Sequence, residues 1–245
     1  GSITYEAWDG DEGSIRAVKR VRGLVPFMAD WIEERSKVEI TETAGGVRAS
    51  FGAGWGWFHV VVNFYVLVPR GWEGDISLHT SNGPITARDL VGDAELRTSN
   101  GPIVVERQSG SLRARTSNGR IEMRELHGNV DAETSNGSIV VNGATLTSNG
   151  RLRTSNGTVD VRAKLEAGAS YELRTSNGAV RIGLVDPDVQ VDLTTSNGDI
   201  ELDTEVAVSE VGRSRLAGRI GAGSARLVAR TSNGDITLAS LRSTW

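Results

Sequence analysis

Residues 98–121 read TSNGPIVVERQSGSLRARTSNGRI, and the tetrapeptide Thr-Ser-Asn-Gly that opens this stretch occurs nine times in the 245-residue chain. Successive copies are 18, 18, 18, 13, 7, 21, 20 and 36 residues apart, beginning at Thr80, Thr98, Thr116, Thr134, Thr147, Thr154, Thr175, Thr195 and Thr231. A unit of 18 residues is too short for the paired helices of a helical solenoid or for a four-stranded propeller blade. The period therefore predicts a β-solenoid, in which short coils stack on one another.

The irregular gaps predict how many coils there are. The gaps of 13 and 7 together make one coil of ordinary length, so Thr147 is expected at a different corner of the coil whose main corner begins at Thr154. The last gap of 36 residues leaves room for a degenerate corner at Arg215–Gly218. We therefore expect about nine stacked coils over residues 80–245.

Alternation of apolar and polar residues within each coil predicts strands. The second and fourth residues after a corner glycine are apolar, as in Ile103 and Val105, and a second apolar run such as Leu112 and Ala114 keeps the same parity. This period of two is typical of half-buried strands. Each coil is expected to have two main strands joined by two turns.

The repeated tetrapeptide is interpreted as a structural corner. Thr continues the inward parity, Ser points outward, and Asn-Gly would supply the positive φ angles of a tight turn. Stacked coils would place the asparagine amides about 4.8 Å apart, where they can form a hydrogen-bonded ladder. The predicted ladder residues are Asn82, Asn100, Asn118, Asn136, Asn156, Asn177, Asn197 and Asn233.

Composition limits the classes of function. The formal net charge is −4, with 27 basic and 31 acidic residues, so we expect no nucleic-acid partner. There is no cysteine, which excludes disulfides and thiolate metal sites. The three histidines share no ligand spacing, and we expect neither a metal nor a cofactor.

Residues 1–79 differ from the repeats and are expected to cap the stack within a single structural domain. They hold five of the six tryptophans. Ile3 to Arg22 predicts two strands, and the segments 38–51 and 58–68 predict a long hairpin or the first coils. Residues 26–35 begin with proline and have apolar residues spaced by four, which predicts a short amphipathic helix.

These features together resemble a known family. Trp8-Asp9 near the start, a strand closing in Val68-Pro69-Arg70, the Thr-Ser-Asn-Gly-x-Ile corners and a late Gly-Arg-Ile-Gly-Ala-Gly run at 218–223 are similar to the bacterial and archaeal "putative adhesin" β-strand repeat family of the toastrack superfamily. The resemblance implies an all-β, right-handed, single-stranded parallel β-solenoid in proteins that are often exported or attached to an envelope membrane and are linked with envelope stress. It supplies no catalytic residues.

Two surface features are candidate binding sites. The residue before the corner threonine is often arginine, and on successive coils Arg97, Arg115, Arg153, Arg174 and Arg230 would form a basic strip able to bind phosphate or carboxylate. The glycine-rich stretch that contains Trp55 and Trp57 could present indole rings to a sugar or a membrane interface. A solvated, neutralised face and a simple end cap are the respective alternatives.

The function expected from the sequence is a non-enzymatic envelope or surface module that displays a rigid face to a protein or an anionic polymer. A self-assembling scaffold and a polysaccharide-binding or polysaccharide-active β-helix are the alternatives. An enzyme would use a pair of carboxylates, and the candidates are Asp199 with Asp235, or Glu106 with Glu122 and Glu125. We expect a monomer or weak homo-oligomer outside the cytoplasm, with cytoplasmic location left open. Gly1-Ser2 is typical of a cloning remnant, so membrane proximity would come from a segment preceding it.

Overall fold

The computed structural model describes residues 1–22, 38–43, 46–51, 59–72, 74–212 and 214–242. These residues form strands and turns, with no helix among them. The helix expected at residues 26–35 lies outside the described part of the chain. The structure is therefore all-β wherever it is described, in agreement with the fold class that the repeat period predicts.

The strands number 21 in the described residues and are labelled in chain order. Their bounds are β1 Ile3–Trp8, β2 Ser14–Arg22, β3 Val38–Thr43, β4 Gly46–Phe51, β5 His59–Pro69, β6 Ile76–Asn82, β7 Ile85–Val91, β8 Ala94–Asn100, β9 Ile103–Asn118, β10 Ile121–Asn136, β11 Ile139–Leu146, β12 Asn149–Asn156, β13 Val159–Leu165, β14 Ser170–Arg174, β15 Val180–Val185, β16 Val189–Asn197, β17 Ile200–Asp203, β18 Ala207–Val211, β19 Arg215–Ile220, β20 Ala225–Asn233 and β21 Ile236–Leu241.

Parallel pairing arranges these strands in two ladders. Ladder A contains the strands that follow a corner, in the spatial order β5, β1, β7, β9, β10, β11, β13, β15, β21, β17. Ladder B contains the strands that end in a corner, in the order β6, β8, β9, β10, β12, β14, β20, β16. The long strands β9 and β10 contribute to both ladders. Each coil thus comprises one strand from ladder B, its corner, and one strand from ladder A.

The core lies between the two ladders and is built from the inward parity of every coil. Ile103, Leu112, Ile121 and Met123 are each no more than 2% exposed. The alternating buried and accessible pattern of β9 and β10 matches the period of two seen in the sequence. Because each coil pairs in register with the next, equivalent apolar residues stack on one another, and their burial drives the association of the coils.

The close stacking of neighbouring coils explains why glycine is required at the corner better than its φ angle does. A Cβ on Gly119 would overlap the carbonyl oxygen of Gly101 in the neighbouring coil, and the other corner glycines are packed in the same way. The prediction that the corner asparagines adopt positive φ was wrong, since the four non-glycine residues with positive φ all lie elsewhere in the described chain. The corner threonine is buried, and its hydroxyl donates to the same stacked carbonyl, as in Thr116 to Gly101 at 3.0 Å.

The order of the last coils departs from the order of the sequence. The coil formed by β20 and β21 lies between the coil of β14 and β15 and the coil of β16 and β17. The degenerate corner predicted at Arg215–Gly218 was wrong, because these residues belong to β19, which pairs antiparallel with β16 and with β18. Eight of the nine Thr-Ser-Asn-Gly copies therefore stack as main corners, without the further corner expected at Arg215–Gly218. The copy at Thr147 lies at a different corner, where its N–H donates to the carbonyl of Gly128.

The N-terminal end is built by a similar insertion. Strand β1 lies between β5 and β7 in ladder A, and β2 pairs antiparallel with the outer edge of β5. The carbonyl of Gly1 accepts a hydrogen bond from the Thr80 hydroxyl at 2.9 Å, as a corner glycine would. Strands β3 and β4 form a separate antiparallel pair. An antiparallel strand thus adjoins ladder A at one end of the stack and ladder B at the other.

Candidate functional site: the arginine and serine face of ladder B

The outward face of ladder B carries two neighbouring columns of polar side chains. The residue before each corner threonine forms the arginine column, and the residue after it forms the serine column. In spatial order the arginine column is His79, Arg97, Arg115, Glu133, Arg153, Arg174, Arg230 and Thr194, and beyond it Arg215 of the antiparallel β19 lies in register with Thr194. The serine column is Ser81, Ser99, Ser117, Ser135, Ser155, Ser176, Ser232 and Ser196.

Three consecutive members of the arginine column have no acidic partner. Arg153 lies in register with Arg174, and Arg174 lies in register with Arg230. All three are exposed, and within the described residues none forms an ion pair or a side-chain hydrogen bond. The sequence order would have placed Thr194 beside Arg174, so the insertion of β20 is what brings the third arginine into the row.

Two further arginines adjoin this row. Arg226 lies four residues before Arg230 on the same exposed face of β20, and Arg151 lies two residues before Arg153 on β12. Together with Glu172 they line a shallow depression of about 260 Å³, whose floor includes Gly150 and Tyr171. Glu172 pairs with Arg151 at 3.6 Å, which leaves five arginines against one glutamate on β12, β14 and β20. Sequence reasoning missed Arg226, although its even spacing from Arg230 within one strand could have indicated a shared face.

The remaining arginines of the column form a smaller group. Arg97 lies in register with Arg115, and Arg115 approaches Glu133 at 3.9 Å. Glu133 then separates Arg115 from Arg153. The column predicted from the sequence is therefore continuous in space but is divided by one acid into a pair and a row of three.

On the first coils of ladder A, by contrast, the charges of the outward face neutralise one another. Arg88 pairs with Glu106 at 2.9 Å, and Arg124 pairs with both Glu106 and Glu122. Glu106 and Glu122, considered above as a possible catalytic pair, are thus bridged by a guanidinium. An ion pair of this kind on an exposed sheet face contributes little to stability but occupies the charges that a ligand would need.

A further ion pair of ladder A joins two residues with positive φ angles. Asp89 and Arg107 stack with φ angles of 56° and 55°, three residues before Gly92 and Gly110. The Arg107 guanidinium donates two hydrogen bonds to the Asp89 carboxylate, at 2.6 and 3.0 Å. This interaction with Arg107 lowers the pKa of Asp89. The pair is satisfied internally and is a structural feature.

The eight corner asparagines form a continuous hydrogen-bonded ladder. Each Nδ2 donates to Oδ1 of the neighbouring asparagine at 2.8–3.0 Å, in the spatial order Asn82, Asn100, Asn118, Asn136, Asn156, Asn177, Asn233 and Asn197. Because the amides hydrogen-bond along the stack, the interior members have one donor and one acceptor already engaged. This column is less suited to ligand binding than the unpaired arginines beside it.

The carboxylates Asp199 and Asp235 are not brought together with the arginine row. Asp235 accepts a hydrogen bond from the Asp199 N–H at 2.9 Å, so this carboxylate is used within the corner. Trp55 and Trp57 lie outside the described residues. Within the described ranges no group of three or more acidic or histidine side chains is placed to hold a metal ion.

These features define a class of protein: a stack of short parallel coils with buried corner threonines, closely packed corner glycines and, on one face, a row of three exposed arginines. The family model Toastrack DUF4097 matches residues 66–239, which is more than half of the chain, and the chain belongs to that family. The resemblance drawn from the corner motif is thereby confirmed.

Comparisons with individual proteins add little. No curated protein matches the chain. Among solved structures, the chain is similar to a "putative cell adhesion protein" from Clostridium sporogenes ATCC 15579, with 7% sequence identity, coverage of 98% of this chain and 88% of that chain, and a TM-score of 0.23. A likeness of this size carries no functional argument. None of the described residues forms a helix that is long and apolar enough to cross a membrane.

Proposed function

We propose that this protein is a non-enzymatic, adhesin-like module of the cell envelope or surface that binds an anionic partner through the outward face of ladder B. The observation that carries the proposal is the row of Arg153, Arg174 and Arg230, three exposed guanidinium groups on adjacent strands without acidic partners. On β7, β9 and β10 the outward charges of ladder A are paired, so the two faces of the scaffold differ there in what they offer to a ligand.

Rigidity makes this face suitable for binding. The arginines project from strands whose backbone groups are paired on both sides, and the corners beneath them are held by stacked glycines and the asparagine ladder. Since the backbone is already ordered, binding need only restrict the side chains. A guanidinium also presents a planar set of donors that suits carboxylate and phosphate.

Several acidic side chains that an enzyme could use are engaged in structural contacts, which supports binding without catalysis. Glu106 and Glu122 are bridged by Arg124, and Asp235 accepts from a corner N–H. Asp188 binds the residues of the turn at 222–224: the Ser224 side chain and the Gly223 N–H lower its pKa. These carboxylates act as fixed acceptors rather than as a pair poised for acid and base catalysis.

We also propose that the stack is a right-handed β-solenoid and that the protein acts as a monomer. The parallel register of both ladders supports the solenoid form. The antiparallel strands β2 and β19 occupy one ladder edge at each end, which disfavours end-to-end stacking of protomers on those edges and makes a self-assembling scaffold the weaker alternative.

The test is retention of the protein on immobilised envelope materials: an acidic polysaccharide, a neutral polysaccharide, anionic lipid vesicles and peptidoglycan. We expect retention on at least one anionic material, loss of retention at high salt, and no release of reducing ends during prolonged incubation. Release of reducing ends would overturn the non-enzymatic assignment, and failure to bind any anionic material at low salt would overturn the binding function.

A further inference from the structure

We infer that Arg153, Arg174 and Arg230, with the adjoining serines and Arg226, form a site for a linear acidic polysaccharide that lies along the stacking axis. The inference deepens the proposed function and rests on it, because it names the class of ligand and the three coils that bind it. It follows from the spacing of the arginines, from the charges beside them and from the residues that end the row.

The spacing of the row suits a polymer with regularly repeated charges. Neighbouring strands of a sheet are about 4.8 Å apart, so the bases of the three arginine side chains repeat at that interval along the stack. A sugar unit in an extended polysaccharide chain has a similar length. The long, flexible arginine side chains can adjust to the small difference between the two spacings. Three carboxylates or sulfates on consecutive sugars could therefore each meet one guanidinium.

The charges beside the row favour a narrow ligand over a flat anionic surface. The column two residues before the arginine column contains, in spatial order, Asp131, Arg151, Glu172, Val228 and Asp192, of which three are acids and one is an arginine. A membrane laid on this face would bring its head groups against these carboxylates as well as against the arginines. A single polymer chain can follow the arginine and serine columns and avoid them.

The serine column favours a carbohydrate over a nucleic acid. Ser155, Ser176 and Ser232 lie two residues beyond the three arginines on the same outward parity, and their hydroxyls can donate to and accept from sugar hydroxyls. Single-stranded nucleic acids are bound largely by stacking of bases on exposed aromatic rings. The outward positions of β12, β14 and β20 carry no aromatic residue, and Tyr171 is buried.

The residues at the two ends of the row set its length. Glu133 adjoins Arg153 on one side, and the uncharged Thr194 adjoins Arg230 on the other. A carboxylate at one end repels a further anionic group, and a threonine supplies no charge to attract one. The site is therefore matched to three consecutive acidic sugars. A longer polymer makes no additional contacts, and it gains affinity only because it contains more overlapping sets of three sugars that can occupy the site.

In the experiment, the full chain is titrated with galacturonic acid oligomers from the dimer to the hexamer, and binding is measured by isothermal titration calorimetry. The methyl ester of the hexamer keeps the sugar chain and removes its charge. We expect a clear gain in affinity from dimer to trimer, little further gain beyond it, no binding of the ester, and weaker binding as salt is raised.

The matched variants are Arg174→Gln in the middle of the row and Arg162→Gln on the outward face of ladder A, both at exposed positions within strands. Loss of one charge-assisted contact is expected to weaken trimer binding about tenfold in Arg174→Gln. Arg162→Gln should leave it unchanged. Equal weakening in both variants would overturn the site in favour of general charge attraction.

Other outcomes separate this inference from the function on which it rests. If the protein binds acidic oligomers but Arg174→Gln binds them equally well, the binding function stands and the site is wrong. If it binds anionic vesicles or single-stranded DNA and not the oligomers, the ligand class is wrong. If it binds no anionic material at all, the proposed function itself fails.

Discussion

The side-chain amide of Asn233 donates a hydrogen bond to Oδ1 of Asn177 at 2.8 Å, although the two residues are 56 positions apart in the chain. Asn197, which comes between them in sequence, donates to Oδ1 of Asn233 instead. The order of the amide ladder thus shows that the coil of β20 and β21 is inserted between coils that precede it in the sequence. Neighbouring coils elsewhere in the ladder are 18 to 21 residues apart.

The insertion predicts an unusual pattern of amide hydrogen exchange. Strands β20 and β21 are paired on both edges, whereas β17, among the described strands, pairs with β21 alone. We expect the amides of Leu227 and Leu238 to exchange as slowly as those of central residues such as Leu112, and those of β17 to exchange faster. Rapid exchange throughout β20 and β21, measured by mass spectrometry or NMR, would show that the inserted position is wrong.

Close stacking of the corner glycines predicts strong intolerance of substitution. In Gly119→Ala the new methyl group would overlap the backbone of Gly101, which cannot rotate away as a side chain could. We expect the free energy of unfolding to fall by about 3 kcal/mol or more. Gly71→Ala is the matched control, since, apart from its two neighbours in the chain, no heavy atom of the described residues lies within 4 Å of the position of its added methyl group. Similar unfolding midpoints for the two variants in urea would contradict this account of the corner.

A buried glutamine is a position where substitution should stabilise the protein. Gln108 is 2% exposed, stacks between Leu90 and Leu126, and has no hydrogen-bond partner for its Oε1. Its amide nitrogen donates one long bond of 3.3 Å to Gly92. We expect Gln108→Leu to stabilise the protein by about 1 kcal/mol, because the unsatisfied polar atom is removed and the leucine column becomes continuous. Gln108→Glu should destabilise it; a loss of stability in Gln108→Leu would mean that the glutamine has a partner in solution.

Tyr171 predicts how stability responds to alkaline pH. Its ring is buried, its hydroxyl accepts the Val130 N–H at 3.1 Å, and burial raises its pKa to about 12. Unfolding returns the phenol to its ordinary value near 10, so between these values the folded chain holds a proton that the unfolded chain has lost. This residue should therefore lower the free energy of unfolding by about 1.4 kcal/mol for each pH unit in that window.

Comparison with phenylalanine isolates the effect. Tyr171→Phe leaves the Val130 N–H unpaired and should be less stable near neutral pH by about 1–3 kcal/mol. It also lacks the alkaline titration, so the difference between wild type and variant should shrink from pH 10 to 12. Parallel loss of stability in both would contradict the raised pKa. Tyr65→Phe, at a position 43% exposed, is the control and should show no such convergence.

The local design of the coils could be predicted from the sequence because every repeat encodes it separately. Inward threonine, alternating strands and the asparagine column follow from period and parity alone, since one-residue shifts would bury polar side chains. The reason why each corner requires glycine could not be predicted from period and parity. Its requirement comes from the neighbouring coil, which a single repeat does not contain.

The order of the last coils could not be predicted because identical corners do not distinguish one neighbour from another. What decides the order is the segment between the two final repeats. It forms β18 and β19, and β19 takes the outer edge of β16, leaving only the inner edge for β20. The row of three arginines depends on the same choice, so the sequence predicted the basic column but not the part of it that lacks acidic neighbours.

The inserted coil also affects the order of events during synthesis. A ribosome produces residues 189–203 before residues 225–241, yet the later segment separates the earlier one from the strands that precede it. The first six main corners can stack as they emerge, but the seventh, at Thr195, stacks on the corner at Thr231, which is synthesised last. A prematurely terminated chain would therefore lack an internal layer of the stack and would leave unpaired strand edges available for misassociation.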